Sequence, residues 1–197
     1  MDSTILRKPY SPRPQTAYLP TTGTELWIYD EAHWPVLRES GVLDPSDPLL
    51  LTKYRALAKQ GLVLGYGLTV AHPVTVTVEV GAPLTAEQLS ELHHGHWLAP
   101  ETGRLDAPSG NLCIESREQV IASRASTQPP PGRVHVPPGE YRVSVYRSDD
   151  AARERESFAW SGPQQVLMLT PAIAHAYAGS TAGQPPAYAF HRARATN

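Results

Sequence analysis

The chain is poor in cysteine and in charge. Cys113 is the single cysteine among 197 residues, so no disulfide can form within the chain. Only 18% of the residues are charged, and the formal net charge is −2. Nucleic-acid backbones and anionic membranes select strongly basic surfaces, so we expect neither direct nucleic-acid binding nor membrane binding.

Long apolar runs are also missing, and none approaches the length of a membrane span. The N-terminus, M-D-S-T-I-L-R-K-P, lacks the apolar centre of a secretory signal. Together with the lone cysteine, which fits a reducing compartment, this predicts a cytoplasmic protein.

Familiar catalytic motifs are absent as well. The glycines of Gly65-Tyr66-Gly67 lack the spacing and the Lys-Ser/Thr pair of a phosphate-binding loop. Ser109-Gly110 is not part of the G-x-S-x-G turn that exposes a hydrolase nucleophile. Cys113 lies between Leu112 and Ile114 in a predicted strand, which favours a core residue over a nucleophile. A non-enzymatic protein is therefore the first expectation.

Proline is abundant, with 20 residues, which suits short strands joined by irregular loops. Alternating apolar residues predict strands, and the clearest is V-T-V-T-V-E-V at 74–80, with its two threonines and its glutamate facing solvent. Residues 119–122 are predicted to continue or pair with the strand of N-L-C-I-E, and residues 187–190 to form a last strand.

Two helices are predicted, one from Pro48 to Gln60, capped by Asp47, and one that begins at Thr85 with a capping box. The apolar stripe predicted for the first helix consists of Leu50, Tyr54 and Leu57, with Leu51 and Ala58 adjoining. The fold class is mainly β with two helices (α+β), either a β-sandwich or an open barrel. We expect a proline-rich arm at residues 1–23 and one domain at 24–197.

The segment from Val134 to Arg147 combines two alternating patterns with Pro138-Gly139 between them. Proline favours the second position of a type II turn, and glycine supplies the positive φ of the third. The pattern therefore predicts two strands joined as a hairpin.

Histidines cluster at 93–96, H-H-G-H, near the predicted end of the second helix. Imidazole is a common ligand of divalent transition metals, and His93 and His96 share a helix face. The other interpretation is a polar last turn whose imidazoles interact with the negative end of the helix dipole. His135 and His175 would complete a metal site if separate strands brought them to His93 and His96.

His135 and the Pro-Pro-Gly that follows it are similar to part of a cupin, a small barrel that holds a metal between histidines and a carboxylate. The resemblance implies a metal-dependent enzyme, although the H-x-H with a following glutamate is missing. We therefore expect no cofactor, and a divalent transition metal is the alternative.

Aromatic and acidic residues suggest a protein-binding surface instead. Trp34, beside His33, and Tyr146, on a predicted outer face, belong to a residue class that dominates binding hot spots. An acidic cluster follows, which could imitate a nucleic-acid backbone toward a nuclease. The expected binding residues are Trp34, Tyr146, Asp149, Asp150, Glu154 and Glu156.

Two segments, Gly110 to Ile114 and Val134 to Tyr146, resemble a pattern of small bacterial β-rich proteins. Some relatives of that type resemble competence nuclease inhibitors or toxin-immunity proteins. The resemblance implies a sandwich-like domain and a protein partner, and it assigns no functional residue. It leads us to expect a cytoplasmic inhibitor or immunity protein.

Overall fold

The computed structural model describes residues 14–19, 25–68, 73–88, 98, 100–122, 132–147 and 165–172. The strands are β1 Gln15–Leu19, β2 Glu25–Asp30, β3 Leu64–Gly67, β4 Val74–Val80, β5 Glu101–Ala107, β6 Asn111–Ser116, β7 Gly132–His135, β8 Gly139–Arg147 and β9 Gln165–Pro171. The helices with described bounds are a 3₁₀ turn at Glu31–His33, α1 Trp34–Glu39, α2 Leu50–Lys59 and α3 Arg117–Ala122.

The strands form two sheets. One has five strands in the order β1-β4-β9-β8-β5, and the other has four in the order β3-β2-β6-β7. Strands β4 and β9 run parallel, whereas the other pairs are antiparallel. The prediction of a mainly β, α+β fold is confirmed: the described strands form two separate sheets and no closed barrel.

The main core lies between the two sheets, and strand alternation explains how it forms. In β2, Leu26 and Ile28 enter this core together with β4 valines such as Val76. Trp27 and Tyr29 point the opposite way, into a second apolar cluster that includes Leu37 of α1 and Leu57 of α2. Strand β2 is therefore buried on both faces, and the helices cover the four-stranded sheet.

The predicted hairpin is wrong, although both of its strands exist. Strand β7 pairs with β6, whereas β8 pairs with β5 and β9, so the Pro-Gly segment carries the chain from one sheet to the other. Gly139 has a φ of 158°, not the value near +80° that a type II turn requires. The Tyr141 hydroxyl donates to the carbonyl of Pro137 and ties this corner together. Alternation shows which face of a strand is buried but not which strand lies beside it.

Several local predictions are confirmed. Strand β4 has the predicted bounds, and Gly61, with a φ of 79°, follows the end of α2. The capping box also forms, because the Gln88 amide nitrogen donates to the Thr85 hydroxyl at 3.2 Å. The Thr85 amide nitrogen in turn donates to the Gln88 side chain at 2.9 Å.

Other local predictions are wrong or incomplete. Residues 15–19 form β1, although the sequence predicts little structure there. Strand β5 is not predicted at all. Residues 119–122 are predicted to extend or pair with a strand but lie in α3, whose start is capped by reciprocal bonds between Ser116 and Gln119. The predicted strand at 187–190 lies outside the described residues.

The outer face of the five-stranded sheet is also buried in part. Thr77 and Glu79, predicted to face solvent, do lie opposite the core valines but are only 7% and 6% exposed. Burial raises the pKa of Glu79 above its ordinary value. A small apolar cluster on this face contains Leu84, Tyr146, Val166 and Met168. Both sheets therefore carry a second buried layer.

Candidate binding surface

Trp34 is half-buried at the start of α1. Its ring stacks on Tyr29 of β2, with ring centres 6.0 Å apart and planes at 26°. The side chain packs against the apolar cluster between the helices and the four-stranded sheet. Trp34 thus supports the core, and only part of it is open to a partner.

Tyr146 is not on an exposed surface, contrary to the prediction. It is 2% exposed and packs in the apolar cluster beside Val166 and Met168. Its hydroxyl donates to the carbonyl of Leu84 at 3.4 Å. The residue does project from the outer sheet face, as alternation indicates, but that face is covered at this point.

The predicted acidic residues, Asp149, Asp150, Glu154 and Glu156, all lie outside the described residues. So do three of the predicted metal ligands, His93, His96 and His175. Both sites therefore stay predictions.

His135 is the predicted metal ligand that the structure places. It is exposed on β7, and its Nδ1 lies 2.7 Å from the Asn111 side-chain oxygen. Within the described ranges, no three His, Cys, Asp or Glu side chains are grouped so as to hold a metal. Metal analysis of the purified protein by mass spectrometry would test the alternative, which predicts one bound metal per chain that is lost in H93A/H96A.

A buried polar cluster on β2 and β6 joins three groups with exchangeable protons. The Tyr29 hydroxyl donates to Glu115 at 2.5 Å, and Cys113 of β6 lies opposite Tyr29 in the strand register. Arg133 of β7 lies opposite Cys113 on its other side and pairs with Glu31. Strands β2, β6 and β7 thus all contribute residues to this cluster.

The thiol and the phenol of this cluster keep their protons. Burial, followed by the charge of the Glu115 carboxylate, raises the pKa of Cys113 to about 12. Burial, followed by the charge of Glu115, raises the pKa of Tyr29. Since a nucleophilic cysteine needs a lowered pKa and access to solvent, this thiol is a structural residue.

The turn that leads into α2, together with the first residues of that helix, exposes two leucines, and the predicted apolar stripe of the helix gives no indication of this exposure. This turn, called here the leucine turn, spans residues 45–51. Leu49 is 58% exposed and Leu51 is 56% exposed, whereas Leu57 at the far end of α2 is buried. The signal in the sequence is three consecutive leucines, because adjacent helix positions cannot all face one core.

Side-chain and backbone bonds hold the leucine turn in one conformation. The Asp44 carboxylate accepts from the Ser46 amide at 3.0 Å and from its hydroxyl at 2.7 Å. The Asp47 carboxylate accepts from the Leu49 amide at 2.8 Å and pairs with Lys53 at 2.5 Å. Asp47 thus stabilises the turn that precedes α2. The predicted start at Pro48 with Asp47 as the N-cap is wrong by two residues, because α2 begins at Leu50 and its N-cap is Leu49, which makes no side-chain capping bond.

Comparisons with known proteins support the fold. No protein-family model and no curated protein sequence matches the chain. A solved structure described as "Crocagin biosynthetic gene J" is similar, with a TM-score of 0.58 and 16% identity over 83% of this chain and 100% of that chain. At this identity the likeness concerns the fold alone.

A second solved structure is described as ComJ from Bacillus subtilis, an inhibitor of the DNA degrading activity of NucA. It matches with a TM-score of 0.47 and 9% identity, over 82% of this chain and 99% of that chain.

Among the described residues, no helix combines the length and the apolar character needed to cross a membrane.

Proposed function

We propose that this protein is a non-enzymatic binding protein that recognises another protein through its leucine turn. The exposure of Leu49 and Leu51 on a turn fixed by its own hydrogen bonds is the observation that carries the proposal. Large apolar side chains on a rigid protrusion are favourable anchors, because a partner's pocket can bury them without first ordering the chain.

The energetics fit such a role. Fully burying a leucine contributes about 1.5–3 kcal/mol, so burying the exposed half of each side chain would contribute about 1 kcal/mol or more. The turn is already ordered, since the Asp44 amide bonds to Gly41 at 3.0 Å and the Leu50 amide to Asp47 at 3.0 Å. Little conformational entropy is then lost on binding.

The buried chemistry supports binding over catalysis. Cys113 and Tyr29 both have raised pKa values and are enclosed by the helices. A thiol and a phenol are nucleophiles only when they lose their protons, and the raised pKa values keep both groups protonated.

The finer form of the proposal is a cytoplasmic inhibitor or immunity protein whose partner is its target. Asp149, Asp150, Glu154 and Glu156 belong to this finer proposal as a second contact surface. Charge reversal of Asp149 and Asp150 should weaken binding if the acidic residues contribute, and unchanged binding would remove them from the surface.

The proposal is tested by recovering the tagged protein and L49S/L51S from native cells and identifying stoichiometric companions by mass spectrometry. The matched control is Val36→Ser, which alters another exposed apolar residue, 45% exposed, on α1. We expect one companion with the parent chain and with V36S, and its loss with L49S/L51S.

The isolated companion then allows the affinity to be measured, and L49S/L51S should weaken it about 30-fold or more. Inhibition is assayed as the companion's activity with and without the protein. No companion, or equal recovery by all three chains, would contradict the proposal.

A further inference from the structure

The solvent face of α2 carries basic side chains and no acidic one. The helix sequence is L-L-T-K-Y-R-A-L-A-K, which contains three cations and no Asp or Glu. Lys53 is neutralised by Asp47. Arg55 and Lys59 are exposed, and no ion pair with an acidic residue is found for either in the part of the chain that the structure describes.

These cations lie in line with the leucine turn. Leu51, Arg55 and Lys59 are spaced by four residues, so their side chains follow one another along one face of the helix. Thr52 and Ala56, small exposed residues, lie beside this row and leave it accessible. The face therefore presents an apolar anchor followed by two positive charges.

From this arrangement we infer that the partner contacts α2 with an acidic, amphipathic protein segment that places an apolar side chain at Leu51 and carboxylates at Arg55 and Lys59. The inference rests on the proposed function and adds the chemistry of the partner. Carboxylates on the partner would complement the two cations, and the charge match would fix the direction of the segment along the helix.

A protein segment suits this face better than a nucleic acid. The chain as a whole has a net charge of −2, and α2 offers a backbone of phosphates two cations, Arg55 and Lys59, that have no ion pair among the described residues. Leu49 and Leu51 add apolar surface that phosphates cannot use. Nucleic acids are bound through many phosphate contacts, which this face does not provide.

The probe is a fluorescein-labelled 14-residue amphipathic peptide with leucine on one helical face and glutamate elsewhere. A second peptide carries lysine in place of each glutamate, and a third probe is a thymidine 14-mer. Binding is measured by fluorescence anisotropy to the full chain, to L49S/L51S and to R55E/K59E. The control is R104E/R142E, which makes the same charge change at two exposed arginines on β5 and β8, of which Arg104 is paired with Glu140.

We expect the glutamate peptide to bind the parent chain and R104E/R142E equally, and to bind R55E/K59E at least about tenfold more weakly. Raising the salt from 0.05 M to about 0.5 M should weaken this binding, because screening shortens the reach of charges. The lysine peptide should instead prefer R55E/K59E. Circular dichroism and thermal unfolding of each variant confirm that it folds.

Equal binding of the glutamate peptide to the parent chain and to R55E/K59E would overturn the inference. Binding of the thymidine 14-mer with the same affinity to the parent chain and to L49S/L51S would overturn it as well. The companion distinguishes this failure from failure of the proposed function. If L49S/L51S loses the companion and R55E/K59E retains it, the protein-binding role stands and the acidic partner segment does not. If both variants retain the companion, both proposals fall.

Discussion

Asp30 shows how much depends on single buried residues in this chain. Its carboxylate, at the end of β2, is fully buried. It accepts hydrogen bonds from the Ser109 hydroxyl at 2.6 Å, the Gly110 amide at 2.9 Å and the Ala32 amide at 2.9 Å. One side chain therefore joins the β5–β6 turn to the start of the 3₁₀ turn.

Replacing Asp30 with alanine should lower the free energy of unfolding by about 3–5 kcal/mol, because several buried donors lose their acceptor at once. Asp30→Asn keeps one oxygen but sets an amide against the Gly110 N–H, so it should also destabilise, by a smaller amount. Urea unfolding measures both, with the exposed Glu39→Gln as the control. A loss below about 1 kcal/mol in D30A would show that the donors find water instead.

Cys113 makes stability depend on alkaline pH. Its pKa is raised from a usual 9.0 to about 12, so the folded state favours the protonated thiol. Above pH 9 the unfolded chain releases a proton that the folded chain keeps, so stability is present below pH 9 and is lost as the pH rises toward 12. Each such group contributes a slope of about 1.4 kcal/mol per pH unit.

We expect the free energy of unfolding to fall between pH 8 and 10.5, and to fall less steeply in Cys113→Ala. Tyr29→Phe should flatten the upper part of the range, since burial raises the pKa of Tyr29 as well. Tyr18→Phe is the control, because Tyr18 is exposed. Identical slopes in all four chains would show that the pKa values of the thiol and the hydroxyl do not differ between the folded and the unfolded chain.

At the scale of elements, close approach of strands is set by small residues. A Cβ added to Gly103 of β5 would lie 2.3 Å from Leu64 of β3. The α2–β3 connection also contacts β5, since the Asp106 amide donates to the Gly61 carbonyl at 2.8 Å. These contacts cover part of the edge of β5, where unpaired backbone would otherwise favour aggregation.

Gly103→Ala should therefore destabilise the protein by about 1–3 kcal/mol through overpacking. In G103A/L64A the added methyl gains room, so the double variant should lose less stability than the sum of the two single variants, by about 0.5 kcal/mol or more. The control is Gly81→Ala, whose Cβ would meet Met168 at an ordinary 3.6 Å. Strict additivity in thermal or urea unfolding would place Leu64 away from Gly103.

Elements can be predicted from the sequence where the period of the apolar residues agrees with the residues that start or end an element. Strand β4 alternates without interruption, and Gly61 ends α2, so both follow from local rules. Strand β5, E-T-G-R-L-D-A, alternates only over its last four residues, and its Gly103 lies where Leu64 packs, which is a tertiary effect. A short segment of sequence cannot predict long-range packing of this kind.

The candidate surface was harder to predict than the fold. Tyr146 was placed on the correct sheet face, but burial of that face depends on residues distant in sequence. The pattern does not predict the leucine turn, because leucines at the start of a helix match the apolar stripe of that helix, whereas in the structure Leu49 and Leu51 are more than half exposed. Exposure is a property of the packed molecule and not of a local pattern.

At the scale of the whole molecule, the two sheets are joined at the side where β1 faces β7. The Gln15 side chain imitates a neighbouring strand there. Its oxygen accepts from the His135 backbone amide at 2.9 Å, and its nitrogen donates to the His135 carbonyl. One amide group therefore satisfies both polar backbone groups of a residue in the opposite sheet.

Gln15→Glu removes the donor and places a negative charge beside the His135 carbonyl, so it should lower the free energy of unfolding by about 1–2 kcal/mol. Hydrogen exchange of the β7 amides should quicken in the same variant. His135→Ala is a matched control, because it keeps the backbone groups that Gln15 binds. Greater destabilisation by H135A than by Q15E would mean that the imidazole, and not the Gln15 amide, stabilises the contact between β1 and β7.

The place of β9 also governs when the molecule can be completed during synthesis. This strand lies between β4 and β8, yet it is the last of the described strands to leave the ribosome. Until it emerges, β4 and β8 each have a bare edge, and β4 presents a row of valines. Nascent chains that stop before residue 165 should therefore depend on chaperones, and folding should be slow because its central pairing joins distant parts of the chain.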